Sequence, residues 1–471
     1  MQLKLKSYLK LFSLIIILLL LITSCKLSNN KHINIEIKKN YLNFASMPDS
    51  FEEDVIFTSA INKNIIYIAT EPRQKGMEEP DISNFLAYDL VARKIIWMNK
   101  YTNNSKLFSP NIEIFFEKDM LYVSTAEITK DKRVIDFITC FNSIDGKEIF
   151  KTPVDITNKP SIYLNYVIVG SQIRDKSYLG KDFSFNMINS LSGKVEFSYK
   201  INSKWTGSPA IYKNFCAIVT DDRSVYFFDL EKKRFISKQT NRSLDIDPFP
   251  YDSSPVVFNN LVLSINGNNG LVLAAYYMET GSIAWSREKF TLESKEYDVS
   301  FEQPFLYKDL LICYAKIPGN ILLWIDPKSG ILKKTSKISY TNFEDIIIES
   351  GDYRSILDGN KLYLLDEYGN HFPDIPIIAK DRFDYPKTLF CFNLDDDRLE
   401  FITEIAIDGY HYNIKSVDKD TIFLETSSCL YLIDKFSGKY KDFLFFKDGK
   451  IISKYDEIMK YSEKDLNRET K

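Results

Sequence analysis

Three observations predict an all-β fold, an eight-bladed β-propeller of four-stranded antiparallel blades. A strand, tight turn and strand, most complete in Phe185 to Phe197 (FNMINSLSGKVEF), recurs in eight copies. The copies are evenly spaced, with seven intervals of about 49 residues between Asp89 and Asp434. Apolar and polar residues alternate with period two through these segments, which excludes a solenoid of helix pairs.

Within each copy the last strand residue before the turn is Asp89, Asn142, Asn189, Asp229, Tyr277, Asp326, Asn393 or Asp434. Four residues later stand Arg93, Gly146, Gly193, Lys233, Gly281, Gly330, Asp397 and Gly438. A hairpin loop of this length places one residue in the left-handed region, which glycine occupies without strain. Four residues further on are Trp97, Phe150, Phe197, Trp285 and Phe401, read as wedges between neighbouring sheets; Ser237, Lys334 and Asp442 break that aromatic pattern.

Upstream of each hairpin lie eight more strands: Ile65 to Thr70, Met120 to Thr125, Tyr166 to Ser171, Phe215 to Asp221, Leu261 to Gly267, Leu310 to Lys316, Lys361 to Glu367 and Thr421 to Ser427. Shorter strands precede these, opened in several copies by Pro110, Pro160, Pro209, Pro255 or Pro304. Each unit thus reads as four antiparallel strands, A to D. Radial arrangement protects the edges that a flat array would leave open. The strand His32 to Ile37 is expected to pair around Tyr440 to Phe446 and close the ring.

The segment before the repeats has a different character. Lys4, Lys6 and Lys10 precede an apolar run from Leu11 to Ile22, too short for a bilayer span, which needs about 20 residues. Residues 1–24 therefore read as a secretory signal. The ending Ile22-Thr23-Ser24-Cys25 resembles the lipobox of bacterial lipoproteins, which implies that Cys25 is lipidated and holds the chain to a membrane. Residues 25–40 form a tether and one strand, 41–453 the propeller, and 454–471 a polar, charged tail.

With 27% charged residues and a net charge of -3, the chain offers no basic surface for nucleic acid. Its 34 Phe and 29 Tyr against 17 Gly suit large sheets packed on one another. Cys140, Cys216, Cys313, Cys391 and Cys429 each fall inside an apolar strand, with no C-x-x-C pair, so buried free thiols are expected rather than disulfides or a metal site.

The repeat, as in Asn189-Ser190-Leu191-Ser192-Gly193-Lys194-Val195-Glu196-Phe197, resembles that of pyrroloquinoline-quinone-type (PQQ-like) propellers. Together with the lipobox, it is similar to the propeller lipoproteins of the outer-membrane β-barrel insertion machinery. The resemblance implies an outer-membrane anchor facing the periplasm and an envelope protein complex as partner. Cofactor-binding members carry adjacent cysteines, and none occur here. No cofactor is therefore expected.

Catalytic residue types are sparse. His32, His371 and His411 are the three histidines, and no H-E-x-x-H, G-x-S-x-G or P-loop pattern occurs. Asp395-Asp396-Asp397 reads as a solvated turn. Loop lengths point elsewhere: the B–C connections Glu71 to Asn84, Ala126 to Asp136, Gln172 to Phe183 and Tyr368 to Lys387 are long, as are the crossovers Thr240 to Ser254, Phe290 to Gln303 and Ser339 to Arg354. Long loops on a rigid scaffold are where binding normally resides. Their aromatics Phe249, Tyr251, Tyr340, Phe343, Tyr353, Phe372, Phe383 and Tyr385 are the candidate partner-binding residues, or a plug in the central opening. The expectation is a non-enzymatic, lipid-anchored scaffold, with a small-ligand or glycan sensor and a quinone-dependent dehydrogenase as the alternatives.

Overall fold

The computed structural model describes residues 55–71, 82–102, 107–108, 114–128, 134–154, 160–173, 182–201, 203, 205–222, 224–240, 254–266, 272–300, 303–315, 321–337, 354–366, 387–405, 412–426, 429–447 and 450–453. All belong to one compact unit. They form the eight antiparallel blades of a β-propeller and one additional two-stranded hairpin.

Blade 3 shows the plan, with strand A at Ser161–Tyr163, B at Tyr166–Ile173, C at Asp182–Asn189 and D at Val195–Ile201. Strand B is paired with strand C without interruption from Tyr166↔Asn189 to Ile173↔Asp182. The other blades occupy residues 55–102, 107–153, 205–240, 256–287, 305–337, 354–405 and 412–453. Strand A of blade 2 is split into Leu107–Phe108 and Phe115–Glu117, both paired with Met120–Ile128. Antiparallel order puts the A–B and C–D turns of every blade on one face and the B–C connections on the other.

Apolar residues of each blade pack against the next. Ile168, Phe185 and Met187 of blade 3 meet Cys216, Ile218 and Phe228 of blade 4. The Phe185 and Phe228 rings stack with centroids 4.0 Å apart. Blade 8 meets blade 1 through Phe423, Leu430, Leu432 and Leu444 against Ile66, Ile68, Leu86 and Tyr88. This packing closes the ring with residues of the blades themselves. The strand expected at His32 to Ile37 lies outside the described residues; Lys450–Ser453 pairs with Leu444 to Lys447, and so takes the last three residues, Leu444 to Phe446, of the edge assigned to it.

The turn glycines explain how the blades are spaced. Every C–D pairing carries one register shift just after the turn, as between Met187 and Ile188, where Glu196 is the extra residue. Such a bulge re-aims the following side chain. The residue it turns outward lands on the C–D turn of the next blade. Trp97 covers Gly146 and donates from Nε1 to the Ser143 carbonyl at 2.9 Å. Trp285 covers Gly330 and donates to the Pro327 carbonyl at 2.8 Å. Phe150 covers Gly193, and Phe401 covers Gly438.

The three breaks in the aromatic pattern obey the same geometry. Ser237 reaches across to blade 5 and donates to the Thr280 carbonyl at 2.9 Å. Lys334 pairs with Asp397 at 3.0 Å, and Asp442 pairs with Arg93 at 3.5 Å. Arg93, Lys233 and Asp397 hold the same left-handed turn conformation as the glycines, with φ of 51°, 49° and 51°. Where the turn residue has a side chain and the preceding blade offers a charged residue, an ion pair replaces the ring. Phe197 precedes Lys233 and is accommodated differently: Lys233 turns back over the Tyr166 ring and onto Glu196 at 2.6 Å.

Two expectations need correction. Phe290 to Gln303 is not an open crossover: Phe290–Leu292 pairs with Lys295–Tyr297, and Phe290 and Val299 are buried between blades 5 and 6. A crossover with two apolar residues at such spacing folds inward. Pro209 does not open its strand but sits inside Trp205–Tyr212, at an irregularity between Thr206 and Ala210 that leaves its missing N–H out of the ladder.

A Cβ at Gly330 would stand 2.6 Å from Trp285 at φ +67°, whereas at Gly359, with φ +61°, it would meet nothing within 4 Å. Gly359→Ala should therefore cost about 1 kcal/mol from backbone strain alone and Gly330→Ala about 2–4 kcal/mol, read from urea denaturation midpoints. Lys334→Trp should destabilise against Asp397 but be tolerated with Asp397→Gly, giving a coupling of about 1 kcal/mol or more in a double-mutant cycle.

Candidate functional site

The B–C end of the propeller is built on short hydroxyl side chains. In blade 2 Thr125 and Thr139 share a hydrogen bond of 2.7 Å, both buried. In blade 3 Ser171 and Ser184 are 2.6 Å apart, and Asn186 donates to both at 2.8 and 3.0 Å. Blade 1 places Asn84 against Thr70 at 3.4 Å. Blades 4 and 8 use the same residue type to close tight turns: Thr220 donates to the Ser224 carbonyl at 3.0 Å, and Thr426 to the Cys429 carbonyl at 3.1 Å. Small hydroxyls satisfy strand-end polar groups without bulk, so the connections leave from fixed points.

Three of these connections are shorter than the sequence suggests. Pairing of blade 2 continues to Ile128↔Val134, so its B–C connection shrinks to residues 129–133. In blade 3 Ile173↔Asp182 leaves residues 174–181. Residues 72–81 and 367–386 remain the long B–C connections of blades 1 and 7. Phe249, Tyr251, Tyr340, Phe343, Tyr353, Phe372, Phe383 and Tyr385 fall in connections outside the described residues, as do Cys25 and the three histidines.

On the opposite face, ionisable groups are engaged in holding turns. Asp395 and Asp397 are not simply solvated. Asp395 accepts from Tyr307 at 2.6 Å, pairs with Lys308 and takes Asn360 at 3.3 Å; Asp397 accepts from Ser336 at 2.7 Å. The acidic run thus joins blade 7 to blade 6, which its local sequence could not disclose. The Lys308 ammonium beside it holds the Asp395 carboxyl below its ordinary range. Glu400 pairs with Lys361 at 2.5 Å and accepts from Asn393 at 2.9 Å. Burial alone would raise its pKa, and these two donors outweigh burial and lower it.

The five cysteines of the blades are buried free thiols, as expected. Burial pushes the Cys140 and Cys391 thiols up to about 12, away from the reactive thiolate. Among the described residues, no group of three or more His, Cys, Asp or Glu side chains is placed to share a metal ion.

No family model and no curated protein matches the chain. Solved structures do resemble it. BamB from Moraxella catarrhalis is 12% identical, with 66% of this chain and 82% of that one covered and a TM-score of 0.42. Sqt1 of Saccharomyces cerevisiae is 12% identical over 80% and 94% of the two chains, TM-score 0.48. The quinohemoprotein alcohol dehydrogenase of Comamonas testosteroni is 10% identical over 85% and 70%, TM-score 0.39. Proteins with such different names cannot lend this chain a role, so its own residues must supply one.

The acid limb of stability follows from the carboxylates. Asp222, Asp326, Asp434 and Glu400 are each exposed to burial, which raises their pKa, and each is lowered overall by hydrogen bonds and nearby cations. Folded values below unfolded ones contribute stability that is full above the unfolded range, near pH 4, and is lost as pH falls through the folded values. Urea midpoints measured from pH 6 to pH 2 should drop, and Glu400→Gln should lower the midpoint at pH 6 while flattening the decline.

Proposed function

We propose that this chain is a non-catalytic scaffold of the bacterial cell envelope, held at the outer membrane by a lipid on Cys25, that presents its B–C and crossover rim to a protein partner. Outer-membrane protein assembly is the process suggested by the repeat together with Ile22-Thr23-Ser24-Cys25. The observation that carries the reading is the contrast between frame and rim. Side chains tie turns of successive blades together through Trp97, Phe150, Ser237, Trp285, Lys334, Phe401 and Asp442. Onto this stiff frame the chain sets connections of very unequal length, with the aromatics concentrated in the longest. A rigid frame supports a large contact area at little ordering cost.

Tyr353→Glu and Phe372→Glu should each lower recovery of an affinity-captured envelope complex about tenfold or more while leaving the melting temperature unchanged, because charge placed in an aromatic hot spot is strongly unfavourable. Unchanged recovery with both variants would remove the rim from consideration. Cys25→Ser should abolish incorporation of labelled fatty acid and shift the protein from the membrane to the soluble fraction.

A further inference from the structure

Val91, Leu164, Ile144, Leu191 and Phe436, at 74, 71, 67, 65 and 61% exposure, are the most exposed large apolar side chains among the described residues. They do not scatter over the molecule. Four occupy the same position, two residues beyond the Asp or Asn that ends strand C, in blades 8, 1, 2 and 3. Leu164 is in the A–B turn of blade 3, at φ 52°, a conformation in which Lys63, Lys118, Lys213 and Lys308 serve in other blades. At the corresponding C–D position blades 4 to 7 carry Glu231, Glu279, Lys328 and Asp395. At this turn position the face is thus divided into an apolar-tipped arc over four adjacent blades and a charged half, in which the apolar exposure that remains among the described residues is the lesser exposure of Tyr277, Ile283 and Ile331 beside the turns.

That these tips share a face is set by contacts between neighbouring turns, since Asp442 meets Arg93, Trp97 covers Gly146 and Phe150 covers Gly193. The tips are also held rigidly. The backbone N–H groups of Val91, Ile144, Leu191 and Phe436 donate to the side chains of Asp89, Asn142, Asn189 and Asp434 at 2.8, 2.8, 3.1 and 3.2 Å. Exposed cations of the same turns lie beside them, Lys63, Lys94, Lys118, Lys194, Lys419 and Lys439, and outnumber the exposed acids Asp119, Asp418 and Asp420. Some cationic charge is already matched, as Lys147 is by Asp145 at 3.0 Å.

We infer that this arc docks on an anionic lipid surface, the five tips entering the interface while the lysines meet headgroup phosphates. Lipid fits the pattern better than a folded protein. The tips stand singly, one or two to a blade, and a protein would need a matching pit for each, whereas an acyl interface accepts isolated apolar side chains at any lateral spacing. The adjoining lysines suit a plane of negative charge. The inference concerns the face opposite the long connections and does not rest on the scaffold reading or on lipidation of Cys25.

The test uses the full chain in a Cys25→Ser background, with a polarity-sensitive fluorophore on Val91→Cys, Ile144→Cys, Leu191→Cys or Phe436→Cys, and on Glu279→Cys and Lys328→Cys of the charged half. Matching melting temperatures establish that each labelled chain is folded. With vesicles of phosphatidylcholine containing phosphatidylglycerol, the four arc labels should shift to the blue and be quenched by brominated lipid about fivefold more than the other two. High salt or pure phosphatidylcholine should reduce the difference. Equal quenching on both halves would overturn the inference. So would arc labels that stay open to aqueous iodide with lipid and become shielded only when a purified envelope protein is added.

Discussion

The constraint on which the ring depends is steric: one residue of each C–D turn must adopt a left-handed conformation, and the preceding blade must cover it. A glycine there leaves a shallow site that a flat ring fills, as Trp97 fills Gly146. Where the turn residue has a side chain the contact adjusts: Lys233 turns away from Phe197, and in two other blades a charged partner stands in place of the ring. Lys334 with Asp397 and Asp442 with Arg93 are the outcome. The two positions lie 63 residues apart in the first pair and 349 in the second, yet each is intelligible only with its partner.

The same pairing accounts for closure of the circle. A propeller must join its last blade to its first, and here the joint is made of the materials used elsewhere, an apolar cluster between inner strands and a contact from strand D onto the next turn. Asp442 is largely buried and Arg93 mostly exposed, so the charge on the aspartate is only partly desolvated. An ion pair in such a setting contributes modestly to stability, and the Phe443 N–H, donating to Asp442 at 2.8 Å, helps hold the carboxylate where Arg93 meets it.

Much of this architecture was legible in the sequence because its signals are local. Period-two strands, the Asp or Asn before the turn and the recurring glycine are read within a dozen residues, and the strands begin and end close to the expected positions. What was not legible is relational. Ser237, Lys334 and Asp442 look like defects in a column of aromatics until the neighbouring blade is beside them. Asp395-Asp396-Asp397 is the exposed turn its sequence suggests, and only the neighbouring blade shows that Lys308 and Lys334 also pair with it. Phe290 and Val299 show the converse, since two apolar residues in a crossover signalled burial that loop length concealed. The candidate rim was legible only as composition and length, and its aromatics remain a reading of the sequence.

Structural duty is distributed unevenly around each turn, and this separates what holds the fold from what the fold can display. In Asn189-Ser190-Leu191-Ser192-Gly193, Asn189 accepts from two backbone N–H groups, Ser190 gives its carbonyl to Tyr122 of blade 2, and Gly193 lies under Phe150. Leu191 contributes its N–H to the turn and projects its side chain outward. Its equivalents elsewhere are acidic, basic or apolar without changing the turn, so the turn itself places little demand on this side chain, although Asp395 of blade 7 uses it to reach Lys308 of blade 6. Exposed leucine, isoleucine, valine and phenylalanine at four neighbouring copies therefore answer to something outside the ring, and the turn that fixes their backbone makes them an outward-facing row at no cost to the blade-to-blade contacts beneath.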